Sequence, residues 1–209
     1  MRTIFFLLIS GIFLYALLIL VLFFMQRSLL YFPSNERLDL SQYAAIGLQE
    51  VKLKTEDGLE LTAWFMRPDP ARDGRTFLLF HGNAGHIGHR VEKFHRILEA
   101  GYGFLFLEYR GYGGNPGKPT EMGLHTDARA ALDFLANREI PHEKVILYGE
   151  SLGCGIAVRA ASEHHFSAVI LEAPYTSIAD VAKRQFWFLP VRWLVRDRYD
   201  TLAIINKIT

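Results

Sequence analysis

The sequence predicts an α/β domain, a mostly parallel sheet with helices on both faces, preceded by one N-terminal transmembrane helix. Three observations predict it. The stretch from Thr3 to Met25 carries no charge. Short continuous apolar runs alternate with helical stretches through the middle of the chain. Where one of those runs gives way to a helix, Ser151 stands between glycines two residues away on either side.

Size and composition bound the rest. A chain of 209 residues holds one substantial core beside the helix and no second ordinary domain. Half of it is hydrophobic and its net charge is +1 without a long basic run, which excludes a disordered acidic tail and a nucleic-acid-coating protein. The single cysteine, Cys154, excludes an intrachain disulfide.

At ~1.5 Å per residue, "TIFFLLISGIFLYALLILVLFFM" spans the ~30 Å hydrocarbon core of a bilayer. A cleaved signal peptide has an apolar region of only about 7 to 15 residues and a small-residue cleavage site. This run instead continues into "LFFMQRSLLYFP". Residues 1–26 therefore read as an uncleaved, single-pass anchor whose partner is the bilayer. Arg2 stands at one end and Arg27 and Arg37 beyond the other, so charge does not fix which side the domain faces.

Residues 27–48 read as a juxtamembrane connector that Pro33 keeps from being one helix, and residues 49–209 as the domain. "LQEVKLKTEDGLELTAWFMRPD" alternates apolar and polar residues on both sides of Asp57-Gly58, a hairpin signature. "TFLLFH" then reads as a strand buried on both faces, "GFLFLEY" as a second buried strand, and "KVILYG" and "AVILEA" as a third and fourth, the last an edge if the sheet ends there. Between them, Ile87, Val91, Phe94 and Leu98 mark one helix and Leu124, Ala128, Ala131 and Leu135 a second. The segment from Ser151 to about Ser162 is a third, and the alternation implies βαβ units. The aromatic, basic remainder reads as helical pieces broken at Pro190.

Gly149-Glu150-Ser151-Leu152-Gly153 fits G-x-S-x-G, a weak signal alone. Its setting strengthens it, because a nucleophile elbow needs a strand before the serine, a helix after it and no bulk two residues to either side. The rival reading is that the glycines merely let a strand and helix pack closely. Acyl transfer also needs two donors for an oxyanion. "FHGNAGH", Phe80 to His86, ends a strand where such a loop is required, so the backbone N–H groups of Asn83 and Leu152 are the candidate donors.

Taken together, "HGNAGH", "EYRGYGGNPGKPTEMGLHTDARAALDFL" and "YGESLGCGIA" resemble the α/β-hydrolase superfamily, and within it a membrane-anchored branch of serine aminopeptidase-like hydrolases. The resemblance runs from about Leu29 to the end of the chain. Where that branch has "DYRGYGxSxGxPSE", this sequence carries Glu108 for the aspartate and Asn115 for the serine. The resemblance implies an α/β-hydrolase fold and hydrolysis of an ester, thioester or amide of a small-molecule or acyl substrate, with Ser151 as nucleophile. It also implies an orienting aspartate after a seventh strand and a histidine after an eighth. The chain stops at "AIINKIT", where that seventh strand would begin, so the expectation is a fold incomplete at its C-terminal strands, with both partners lying beyond residue 209. A catalytically dead, membrane-held fragment or interaction scaffold is the alternative.

Other histidines do not fill the gap. His164 and His165 lie ~20 Å along the helix axis from Ser151. The resemblance gives His81 a structural place. His86, His89 and His95, with Glu92 between, match no H-E-x-x-H pattern and read as rim histidines, so no metal is expected. "GYGGNPGKP" matches neither a P-loop nor G-x-G-x-x-G, so no cofactor is expected either. The aromatic stretch "RQFWFLPVRWLV" either caps a pocket for an apolar acyl group or packs as core and interface.

Overall fold

A computed structural model describes residues 1–34, 36, 39–71 and 74–208. Arg37, quoted above for the charge balance, lies outside them. The first element, α1 (Arg2–Leu30), buries none of its side chains and is long and apolar enough to cross a membrane. At ~1.5 Å per residue it measures ~43 Å. It ends before a two-residue strand, β1 (Phe32–Pro33).

The hairpin forms as its turn dictates. β2 (Gln49–Lys54) and β3 (Glu60–Met66) pair antiparallel across Asp57-Gly58, with Gly58 at φ 87°. β4 (Thr76–Phe80) follows, then a two-residue strand β5 (Ala84–Gly85), a 3₁₀ turn at Ile87–Arg90 and α2 (Val91–Glu99). β6 (Gly103–Leu107), α3 (Glu121–Ala136), β7 (Val145–Glu150), α4 (Leu152–Ala161) and β8 (Ala168–Glu172) complete the alternation. The large sheet has the order β2-β3-β6-β4-β7-β8, and β6, β4, β7 and β8 run parallel.

The continuous apolar runs work because each strand faces two cores. Leu78, Phe80, Leu105, Leu107 and Leu147 pack with Leu124 and Ala131 of α3 and Ile156 of α4. The alternate residues Phe77, Leu79, Phe104, Phe106 and Ile146 pack with Val91, Phe94 and Leu98 of α2. Each such side chain contributes ~1.5–3 kcal/mol of burial. β8 is the outermost strand among the described residues, and its Ile170 is exposed.

The last segment is helical in pieces, α5 (Ile178–Gln185), α6 (Val191–Leu194) and α7 (Thr201–Ile204), with Pro190 between the first two. Ser177 caps α5 by accepting the Asp180 N–H at 2.9 Å. We refer to α5, α6 and their connection as the cap.

A partly buried ionic knot ties hairpin, sheet and α3 together. Arg110 donates from Nε to Asp127 Oδ1 (2.8 Å) and from Nη1 and Nη2 to Asp57 (2.6 and 3.0 Å). Asp127 is fully buried, and hydrogen bonds from Arg110 hold the Asp57 carboxyl down to about 2. Asn115 also earns its place: its amide donates to the carbonyls of Thr62 and Glu108 and accepts the Thr62 N–H.

Removing Arg110 would leave the Asp127 carboxylate buried without its partner. The Arg110→Met variant is expected to lose about 3–5 kcal/mol of stability in denaturant titration of detergent-solubilised protein. A loss under about 1 kcal/mol would contradict the structural role given to the knot.

Candidate active site

Ser151 sits between β7 and α4 with φ 50° and ψ −111°, a left-handed backbone that an L-residue adopts only under constraint. The constraint is close packing. A Cβ on Gly153 would lie 1.9 Å from the Phe80 carbonyl oxygen, and one on Gly149 2.7 Å from the Cys154 Cα. Bare glycines therefore let the turn press against the end of β4, and Ser151 is pushed out to an exposed position. Its N–H donates to the Glu172 carbonyl at 2.9 Å, and its side chain makes no capping bond to α4.

The loop after β4 arrives alongside. A Cβ on Gly82 would lie 3.7 Å from the Ser151 Cβ, so the two turns touch. The backbone N–H groups of Asn83 and Leu152 donate to no partner among the described residues. Asn83 itself is held on two sides. Its side-chain amide donates to the Leu30 carbonyl (2.8 Å), and its own carbonyl accepts the Phe32 N–H (2.9 Å) and the Tyr112 hydroxyl (2.9 Å). Parallel pairing of β1 with β5 extends this seam, so the end of α1 fixes the loop. The sequence motif pointed to the loop, but nothing in it pointed to the helix that holds it.

Ser151 opens onto a cavity of about 590 Å³. One wall is α1, through Leu22, Phe23, Gln26, Leu29 and Leu30. Another is the cap, including Ile178, Val181, Leu189, Val191 and Leu194. Most of its polar side chains are committed: Gln26 bonds the Leu194 carbonyl and the Arg196 N–H, Asn83 bonds Leu30, Tyr175 bonds the Leu152 carbonyl and Asp197 pairs with Arg27 at 2.8 Å. Ser151 and Gln185 are the further polar side chains on an otherwise largely apolar chamber.

Nearby acids are also occupied. Glu150 lies 3.1 Å from Arg90 and 3.6 Å from Lys93. Glu172 pairs with Lys93 and accepts the Tyr148 hydroxyl at 2.7 Å, and the Lys93 bond pulls its carboxyl below the usual range. Burial pushes the Cys154 thiol up to about 11, so it is no competing nucleophile at neutral pH.

No described histidine hydrogen-bonds Ser151. His81 is fully buried, stacked on Tyr109, donating from Nδ1 to the Gly82 carbonyl at 2.8 Å. Its Nε2 lies 3.1 Å from Glu108 Oε1, off the line of a proper hydrogen bond. His164 sits beyond the far end of α4, packed on His142. His95 pairs with Glu99 on α2. His86 and His89 meet Glu36 within 4.8 Å, a spacing that could suit a cation. However, His86 Nδ1 accepts the Gly88 N–H at 3.1 Å, which places the neutral ring's proton on Nε2, toward Glu36 at 3.5 Å. That nitrogen then has no lone pair to give a metal.

The family model for serine aminopeptidase, S33, matches residues 72–207. An uncharacterized protein of Mycobacterium tuberculosis is 35% identical over 184 residues, which cover 88% of this chain and 66% of that protein. The lysophosphatidylserine lipase ABHD12 of Danio rerio is 30% identical over 166 residues, 68% of this chain and 43% of that one. This chain thus spans two thirds or less of the length of these relatives. Among solved structures, an alpha-beta hydrolase from Vibrio vulnificus superposes with a TM-score of 0.67 at 21% identity, covering 83% of this chain and 66% of that one. A Pyrococcus furiosus esterase gives 0.59 at 20% identity, covering 86% and 70%. The fold is that of the α/β hydrolases.

The elbow strain is measurable apart from any activity. Glycine at 151 would relax the backbone, so Ser151→Gly is expected to be about 1 kcal/mol more stable than Ser151→Ala, a gain of about 2–4 °C in Tm. A Ser151→Gly variant less stable than Ser151→Ala would contradict a strained elbow.

Proposed function

Because this chain belongs to the serine aminopeptidase S33 family of α/β hydrolases, we propose that it is a membrane-anchored serine hydrolase cleaving the ester, thioester or amide bond of an apolar acyl group. The observation that carries this reading is the strained Ser151 at an apolar cavity, with two backbone N–H groups beside it that donate to no described partner.

The chemistry follows from that arrangement. Ser151 Oγ attacks the acyl carbon as its proton passes to a base, and the carbonyl oxygen takes the negative charge. The N–H groups of Asn83 and Leu152 hold that oxyanion, at the amino terminus of α4 where negative charge is favoured. Collapse expels the protonated leaving group and leaves an acyl-serine, which water cleaves by the same route in reverse. The described residues supply nucleophile and oxyanion donors and bring no base to Ser151.

The substrate class rests on the cavity and the relatives. An apolar chamber of about 590 Å³ suits a long acyl group. Relatives named as a lysophosphatidylserine lipase and a structural neighbour named as an esterase favour an ester over an amide. The anchor reading rests on α1 itself, which lines the chamber and pairs Arg27 with Asp197, while Tyr31 just after it bonds Tyr199 at 3.0 Å. A removable leader would have no cause to build the site.

One observation favours a second reading, a membrane-held binding protein on the same scaffold: no described histidine meets Ser151. Hydrolysis of a long-chain monoacyl ester by protein made from the native gene separates the two. Ser151→Ala is expected to lower kcat by about 10⁴- to 10⁶-fold, and a wild-type rate no greater than the variant's would establish the binding reading. Asn83→Ala, which frees the loop from Leu30 while keeping the backbone donor, is expected to lower kcat about tenfold with KM unchanged.

A further inference from the structure

The cap follows α1 deep into its apolar length. The Tyr15 hydroxyl donates to the Phe188 carbonyl at 2.8 Å, Arg196 lies over the Phe23 ring at 5.9 Å, and Gln26 exchanges hydrogen bonds with Leu194 and Arg196. Arg27 then pairs with Asp197. Tyr15 precedes Arg27 by twelve residues, or ~18 Å along the helix axis. A membrane that covers the apolar part of α1 must therefore also cover the loop that carries Phe188.

The outer surface of that loop fits such a place. Trp187 is 80% and Trp193 90% exposed, and neither lines the cavity. Around them, residues 178–198 carry Lys183, Arg184, Arg192, Arg196 and Arg198 against the acids Asp180, which pairs with Arg192 at 3.1 Å, and Asp197. Exposed tryptophans rimmed by cations form the pattern of an interfacial segment, with aromatic rings at headgroup level and basic side chains toward anionic lipid. In water the same surface would expose two large rings that no described residue covers.

We propose that the cap is an embedded wedge, seated in the same leaflet as the end of α1, and that the Ser151 chamber opens sideways into that leaflet. An acyl chain then passes between α1 and the cap without crossing water, while Ser151 stays near headgroup depth. This rests on the reading of α1 as an anchor, and the test separates the two.

The chain has three tryptophans, and Trp64 is buried in the core. Full-length protein is reconstituted in vesicles of phosphatidylcholine and phosphatidylserine, with and without lipid brominated along its acyl chains. Co-flotation with substantial quenching by brominated lipid, lost in the double variant Trp187→Phe/Trp193→Phe, is the expected result. Co-flotation with Trp187 and Trp193 quenched by aqueous iodide and not by brominated lipid would overturn the wedge and leave the anchor standing. Failure to co-float would overturn both. For the lateral opening, Trp187→Ser/Trp193→Ser is expected to slow hydrolysis of a vesicle-embedded ester about tenfold while leaving a water-soluble short-chain ester unaffected; equal loss on both substrates would overturn it.

Discussion

The site depends on how closely the β7–α4 turn can approach the end of β4. Gly153 leaves no room for a Cβ against the Phe80 carbonyl, and Gly149 none against the α4 backbone. That approach drives Ser151 into a left-handed backbone and brings the Leu152 N–H beside the loop that carries Asn83. Buried strands on either side keep the two turns from relaxing apart, since β4 pairs with β7 along its whole length. Strain at one residue is thus maintained by packing spread across the sheet.

A second dependence runs through α1. Its last turn and the strand after it hold the Asn83 loop, its side chains wall the chamber, and its ion pair with Asp197 ties it to the segment after the cap. A helix long and apolar enough to cross a membrane therefore also builds the candidate site. A substitution near Leu30 would act on the Asn83 loop as directly as one within the loop.

The local parts of this arrangement were legible in the sequence. The Asp57-Gly58 hairpin, the doubly buried strands and the strand-serine-helix turn each depend on residues within a few positions of one another, where periodicity and glycine placement carry the information. Contacts between distant residues were not. Arg27 meets Asp197, Tyr31 meets Tyr199 and Arg110 gathers Asp57 and Asp127, and no spacing rule announces any of these partners. The aromatic stretch after Gln185 left two readings open, because pocket-lining and core residues have the same chemistry. The structure places Leu189, Val191 and Leu194 on the chamber and leaves Trp187 and Trp193 outside it. The motif departures at Glu108 and Asn115 became intelligible only through their partners, the Ile87 N–H for the first and the Thr62 backbone for the second.

The measurement that bears most directly on Ser151 as an activated nucleophile is fluorophosphonate labelling of the protein in membranes from its native source, with the adduct mapped by peptide mass. A single adduct on the peptide containing Ser151, absent after heat denaturation, is expected. Folded protein that takes up no label, or takes it up on a residue other than Ser151, would contradict the assignment.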